Sequence, residues 1–256
     1  MRFRSRQRLA VCLVVGLFPQ ILFANDVVTI AVASNFANTA EEIVAAFATE
    51  SDATVRISAG STGKLYAQIL HGAPYDIFLS ADAERPRLLE QQGRAVSRSR
   101  TTYAKGTLVL WSRDNRLRGK NCREALERAE YGRVAIANPD TAPYGAATRE
   151  FLIAQDLWSD VSSRAVYGEN ISQTLRFVAT GNAGLGFVAR SQTTHANLPA
   201  ATCSWAVPET SHAPIRQQAV LLARAERNHA ARRFFEFLQS AAARRIIREH
   251  GYRVPN

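Results

Sequence analysis

From Val27 onward, apolar positions fall into short unbroken runs separated by glycine-bearing polar turns and by stretches of helical spacing. Val27 to Ala33 is a continuous apolar run, the pattern of a strand buried on both faces of a parallel sheet. It stops at Ser34-Asn35-Phe36. A helix is predicted next, with Asn38 as N-cap, Glu41 three residues on, and Ala40, Ile43, Val44 and Phe47 on one face. Thr54 to Ile57 reads as a second strand. Gly60-Ser61-Thr62-Gly63 then opens a helix over Lys64 to Leu70 that Gly72 closes, and Asp76 to Ser80 is a third strand. Strand, helix, strand, helix, strand is a doubly wound α/β pattern, in which ligands collect beyond the C-terminal ends of strands. Both Ser34-Asn35 and Ser61-Thr62 occupy that position.

The pattern then starts again. Thr107 to Trp111 and Arg133 to Ala137 are strands, the second ending in Asn138-Pro139-Asp140-Thr141-Ala142-Pro143-Tyr144-Gly145 before a helix over Ala146 to Gln155. Gly168-Glu169-Asn170 leads into a helix with Ile171, Leu175 and Val178 on one face, and Gly184 to Ala189 is a glycine-rich strand. Gln218 to Ala223 is a further strand. A last helix is predicted over Asn228 to Glu249, with Ala231, Phe234, Phe235 and Leu238 as its core stripe. No repeat or low-complexity tract interrupts the chain.

Residues 1–24 read as an export signal. Arg2, Arg4, Arg6 and Arg8 precede an apolar core from Leu9 to Phe23, with a cleavage site near Ala24. The formal net charge of the chain is +10, and removing those four arginines leaves +6. That balance suits an anionic ligand or simply solubility, and no basic cluster is interleaved with aromatics, so nucleic acid is not an expected partner. About 230 residues remain, enough for one large domain or two lobes. Cys12 leaves with the signal. Cys122 and Cys203 remain in an oxidising compartment, and the sequence leaves open whether they pair. The five histidines are scattered and no metal-ligand spacing is present, so no metal site is expected.

The loop from Ser58 to Lys64 carries the chemistry. A helix opening from small residues offers unpartnered N–H groups and the positive end of its dipole, a ready anion site. That Ser61 or Thr62 only caps the helix stays an open alternative. A nucleotide P-loop is excluded, since Ser58 stands where its first glycine belongs and Leu65 follows Lys64. Ser61 and Lys64 also have the Ser-x-x-Lys spacing of penicillin-recognising hydrolases, but the companion Ser-Asp-Asn and Lys-Thr-Gly motifs are absent.

Together, AVASNFANTAEEI (31–43), GSTGKLYAQILHGAPYDIFLSAD (60–82), VAIANPDTAPYGAA (134–147), ENISQTL (169–175), GLGFVARSQ (184–192) and PIRQQAVLL (214–222) resemble the periplasmic molybdate-binding proteins of ABC importers. The resemblance covers essentially all of the chain after the signal. It implies a two-lobed α/β binding protein of type II, with 25–106 and 218–256 as lobe one, 107–217 as lobe two, and one oxyanion in the cleft. It further implies a periplasmic monomer without cofactor or catalysis that delivers molybdate, and tungstate with it, to a membrane permease. By position, Ser34, Asn35, Ser61 and Thr62 would hold the anion from lobe one, and Tyr144 and the backbone N–H near Ile171 from lobe two. One branch of the family supplies a tyrosine where Ala189 stands here, which makes the Tyr144 hydroxyl the candidate replacement. A tetrahedral dianion offers only acceptor lone pairs, so hydroxyls, an amide N–H₂ and helix-start N–H groups are the expected donors. Molybdate and sulfate fit that set better than a protonated phosphate. Another oxyanion such as sulfate is the nearer alternative, and a serine hydrolase built on Ser61 and Lys64 the remote one.

Overall fold

The computed structural model describes residues 27–194 and 198–255. The predicted export signal lies outside these residues. The chain runs β1 (Val27–Ala33), α1 (Ala37–Phe47), β2 (Thr54–Gly60), α2 (Thr62–Leu70), β3 (Ile77–Leu79), α3 (Glu84–Gln91), β4 (Thr101–Lys105) and β5 (Leu108–Ser112). It continues through α4 (Cys122–Glu127), β6 (Val134–Ala137), α5 (Pro143–Ala154), α6 (Trp158–Ser163), β7 (Ala165–Gly168), α7 (Ile171–Ala179), β8 (Leu185–Ala189) and α8 (Arg190–Thr193). It closes with β9 (Cys203–Ala206), β10 (Arg216–Leu221), α9 (His229–Phe237) and α10 (Ala241–Glu249).

Two five-stranded sheets result, ordered β2-β1-β3-β10-β4 and β7-β6-β8-β5-β9. They repeat one plan. In each, a central strand (β1 or β6) pairs in parallel with its two neighbours, and an antiparallel strand (β10 or β5) joins the far edge. The helices that follow β1 and β2 in one lobe therefore have counterparts following β6 and β7 in the other. Chain crossings join the sheets where β4 passes through Gly106 to β5 and where β9 returns to β10. At that point the Gly106 N–H donates to the Ile215 carbonyl at 2.9 Å.

The unbroken apolar runs are the central strands. Ile30, Ala31 and Val32 are fully buried, as are Val134, Ala135 and Ile136. One core gathers Phe36, Ile43, Phe47, Phe234 and Ile247 around the first sheet. Another gathers Leu110, Phe151, Leu152 and Phe187 in the second lobe, and also takes in Ala33 and Ala81 from the first. Apolar packing thus runs across the cleft.

Several predicted elements shift. The last helix is two helices, because Ser240 breaks it and caps the second, accepting from the Ala243 N–H at 3.2 Å. Asn38 is not an N-cap: a 3₁₀ turn over Ser34–Phe36 leads into α1, which starts at Ala37 and has no side-chain cap. Strands β4, β7 and β9 and helices α3, α4 and α6 were not predicted. Cys122 and Cys203 are joined in a disulfide with Cα atoms 5.6 Å apart, tying the start of α4 to the start of β9.

Candidate anion site

Four helical starts meet where the two sheets face each other. The Ser34–Phe36 turn follows β1, α2 follows β2, α5 follows the loop after β6, and α7 follows β7. Each leaves N–H groups without intrahelical partners. At α7 the Asn170 side chain accepts from Ser172 and Gln173, so the N–H of Ile171, the first helical residue, lies outside the cap. At α2 no side chain caps the helix, although Ser61 stands at the N-cap position. Its hydroxyl is buried and has no hydrogen-bond partner. A buried hydroxyl without a partner is costly, and here it sits at the positive end of a helix dipole.

The lobes are fastened around these starts. Gly63 N–H donates to the Thr141 carbonyl at 2.8 Å, Ser172 Oγ to the Ser34 carbonyl at 3.0 Å, and Arg85 Nη2 to the Asp140 carbonyl at 3.2 Å. Lys64 and Glu169 pair at 2.7 Å on the rim, each half exposed. A groove of about 810 Å³ opens outside this ring, lined on one side by Ser34 and Asn35 and on the other by Asn170, Ser172 and Gln192. Ser61, Thr62 and Tyr144 do not line it. They lie deeper.

Each residue singled out in the sequence sits at one of these starts, but two use their side chains differently than expected. The Asn35 carboxamide does not offer its N–H₂ to the cleft: Nδ2 donates to Gln217 Oε1 at 2.9 Å and to the Tyr252 hydroxyl at 3.0 Å. Thr62 Oγ1 accepts from the Ala81 N–H at 3.1 Å, pinning the end of β3 to the start of α2. Ser34 is half-buried, and Ile171 is buried at the start of α7. Tyr144 is 1% exposed on the first turn of α5, and its hydroxyl accepts from Gln217 Nε2 at 3.3 Å. Gly106 lies against that contact, where a Cβ would collide with the Tyr144 hydroxyl. Burial pushes the Tyr144 phenol well above its ordinary pKa, and the neighbouring Tyr252 adds to the effect. It stays a protonated donor at neutral pH.

Tyr103, Gln217 and Tyr252 were missed by sequence reasoning. The signal for Gln217 was present, as a glutamine pair opening an otherwise apolar strand. The two carboxylates close to the site in sequence are both ion-paired: Asp140 with Arg149 at 3.3 Å, and Glu169, which lines the groove, with Lys64 at 2.7 Å. Lys64 is not hydrogen-bonded to Ser61, so the pair has no activated nucleophile.

The profile of the bacterial extracellular solute-binding proteins matches residues 28–253. The chain belongs to that family. This solute-binding protein is 42% identical over 244 residues to the molybdate-binding protein ModA of Rhodobacter capsulatus, covering 95% of its own length and 94% of the relative's. It is 39% identical over 249 residues to ModA of Azotobacter vinelandii, covering 97% and 98%. The solved periplasmic molybdate-binding protein of Azotobacter vinelandii superposes with a TM-score of 0.84 at 36% identity, covering 90% of this chain and all of that one. The two-lobed α/β binding-protein fold expected from the sequence is the fold observed.

Proposed function

We propose that this protein captures molybdate in the extracytoplasmic space, accepts tungstate as well, and delivers the anion to the membrane permease of an ABC importer. The unpartnered, buried Ser61 hydroxyl at the uncapped start of α2 carries the reading, because it is a built donor position that lacks only an acceptor. In this reading the Ser61 and Tyr144 hydroxyls and the N–H groups at Ser34-Asn35, Thr62 and Ile171 surround the oxyanion. The carboxylates nearest these starts, Asp140 and Glu169, are engaged by Arg149 and Lys64 and so are poorly placed to accept a proton from the ligand, which favours a fully deprotonated dianion over hydrogen phosphate. The close relatives named for molybdate support the choice among dianions. The protein performs no chemistry and needs no cofactor. It acts as a monomer exported by the segment ending near Ala24, with 25–106 and 218–256 forming one lobe and 107–217 the other.

The test is thermal unfolding at matched concentrations of molybdate, tungstate, sulfate and phosphate. A ligand bound only by the folded state raises the melting temperature by mass action. Molybdate and tungstate should give similar large shifts, and sulfate and phosphate much smaller ones. Equal shifts from sulfate and molybdate would remove the specificity claim.

A further inference from the structure

A buried polar chain joins the hinge to the cleft, and one backbone carbonyl fixes the direction of every hydrogen bond in it. The Tyr252 hydroxyl lies 2.7 Å from the Asn35 carbonyl. A carbonyl only accepts, so the single Tyr252 proton lies on that line. The Asn35 side chain, 3.0 Å from the same hydroxyl, must then present its N–H₂ to it. The second proton of that N–H₂ faces Gln217 at 2.9 Å, so Gln217 turns its oxygen there. The Tyr103 hydroxyl agrees, since its two neighbours, the Ser80 carbonyl and Gln217 Oε1, are both acceptors at 3.1 and 3.2 Å. With Gln217 Oε1 fixed, Nε2 can only donate to the Tyr144 hydroxyl. The Tyr144 proton is left without an acceptor among the hydrogen bonds of the described residues.

We infer that Gln217 is a positioning residue that makes Tyr144 an obligate donor: by donating to the phenol oxygen, it turns the phenol proton into the cleft toward the anion. Gln217 is itself fully buried and sits where β10 pairs with Ala104 at the hinge. It touches Tyr144 from the hinge, where β10 begins, without being one of the groups proposed to hold the anion. The consequence is selectivity by proton count. A tyrosine free to rotate could accept from a protonated ligand, whereas this one can only give.

The inference rests on the proposed site, and a double-mutant cycle separates the two. Molybdate affinity is measured by calorimetry for the native protein, Tyr144→Phe, Gln217→Glu and the double variant. In Gln217→Glu the carboxylate accepts the Tyr144 proton and withdraws it from the cleft. The added charge weakens binding in both backgrounds alike and cancels in the cycle. Tyr144→Phe should weaken binding roughly ten- to a hundredfold in the native background, the range for one hydrogen bond to a charged group. In the Gln217→Glu background it should change affinity by about twofold or less. The same factor in both backgrounds would overturn the relay while leaving the site. No loss from Tyr144→Phe in the native background would overturn the site, and the relay with it. Should Gln217→Glu not fold, the tyrosine ultraviolet difference spectrum on adding molybdate, native minus Tyr144→Phe, reads the proton directly. A red shift marks a phenol that donates to the anion. A blue shift or none refutes the inference.

Discussion

Gly63 donates its backbone N–H to the Thr141 carbonyl of the opposite lobe at 2.8 Å, with Thr141 Cα 3.0 Å from the place a Gly63 Cβ would occupy. The lobes therefore close backbone to backbone at the start of α2, and a Cβ at residue 63 would force Thr141 to give way by a few tenths of an ångström. Arg85 Nη2, 3.1 Å from the same point, crowds it further.

Gly63→Ala separates closure from folding. Gly63 lies inside a helix at a negative φ, so alanine favours that helix by up to about 1 kcal/mol when the lobes are apart. On closure the methyl meets Thr141. The expected outcome is an unliganded melting temperature equal to or above the native one, with molybdate affinity lowered at least about tenfold. Native affinity in the alanine variant would show that the lobes close elsewhere.

Ser61 and Thr62 are adjacent hydroxyls with opposite expected phenotypes. Ser61 Oγ has no partner, so Ser61→Ala removes a buried unsatisfied group and should leave the unliganded fold as stable or more so. It should cost about 1.5–3 kcal/mol of anion affinity. Thr62→Ala strands the buried Ala81 N–H and should destabilise the fold by about 1–3 kcal/mol, with a smaller effect on affinity. Melting curves with and without molybdate decide. Identical behaviour of the two variants contradicts the assignment.

The sequence shows the central strands and the site loops clearly, because strands buried on both faces read as unbroken apolar runs and each is followed by a small-residue turn. β4, β7 and β9 escape detection for the complementary reason. All three are edge strands. Their burial is partial, as in Thr101-Thr102-Tyr103, and leaves no continuous run. The site positions Ser34, Asn35, Ser61, Thr62, Tyr144 and Ile171 are visible from their place after strands. What their side chains do is not visible. Asn35 is turned by Gln217 and Tyr252, 182 and 217 residues away, and no local pattern records that pull. Thr62 is likewise claimed by Ala81, which becomes its neighbour only once β3 pairs beside β1.

The Cys122–Cys203 bond links residues 81 apart within the second lobe. A crosslink closing a loop of this size restricts the unfolded chain, and its loss costs about 2–4 kcal/mol in typical proteins. Reduction should lower the melting temperature of the exported protein by several degrees. Titration of the unfolded, non-reduced protein should find no free thiol at these positions. Two free thiols in freshly exported material would refute the pairing.

Alkaline pH should unfold this protein through its buried phenols. Burial raises the pKa of Tyr103, Tyr144 and Tyr252 above the ordinary 10.0. In the unfolded chain the same phenols ionise near 10.0, so above that pH the folded state holds more protons than the unfolded one. Stability then falls as pH rises, and the contribution is fully present only below 10. Each phenol kept neutral by the fold adds about 1.4 kcal/mol per pH unit to that fall, so the three together give on the order of 4 kcal/mol per unit. Urea unfolding at pH 9, 10 and 11 measures the slope, and ultraviolet titration counts the phenols that ionise. The folded protein should titrate fewer of its seven tyrosines than the unfolded one. Tyr252→Phe should make the fall shallower, because one of the phenols that burial holds neutral is gone. If all seven tyrosines ionise near pH 10 while the protein stays folded, the polar hub around Gln217 is not sealed from water as described.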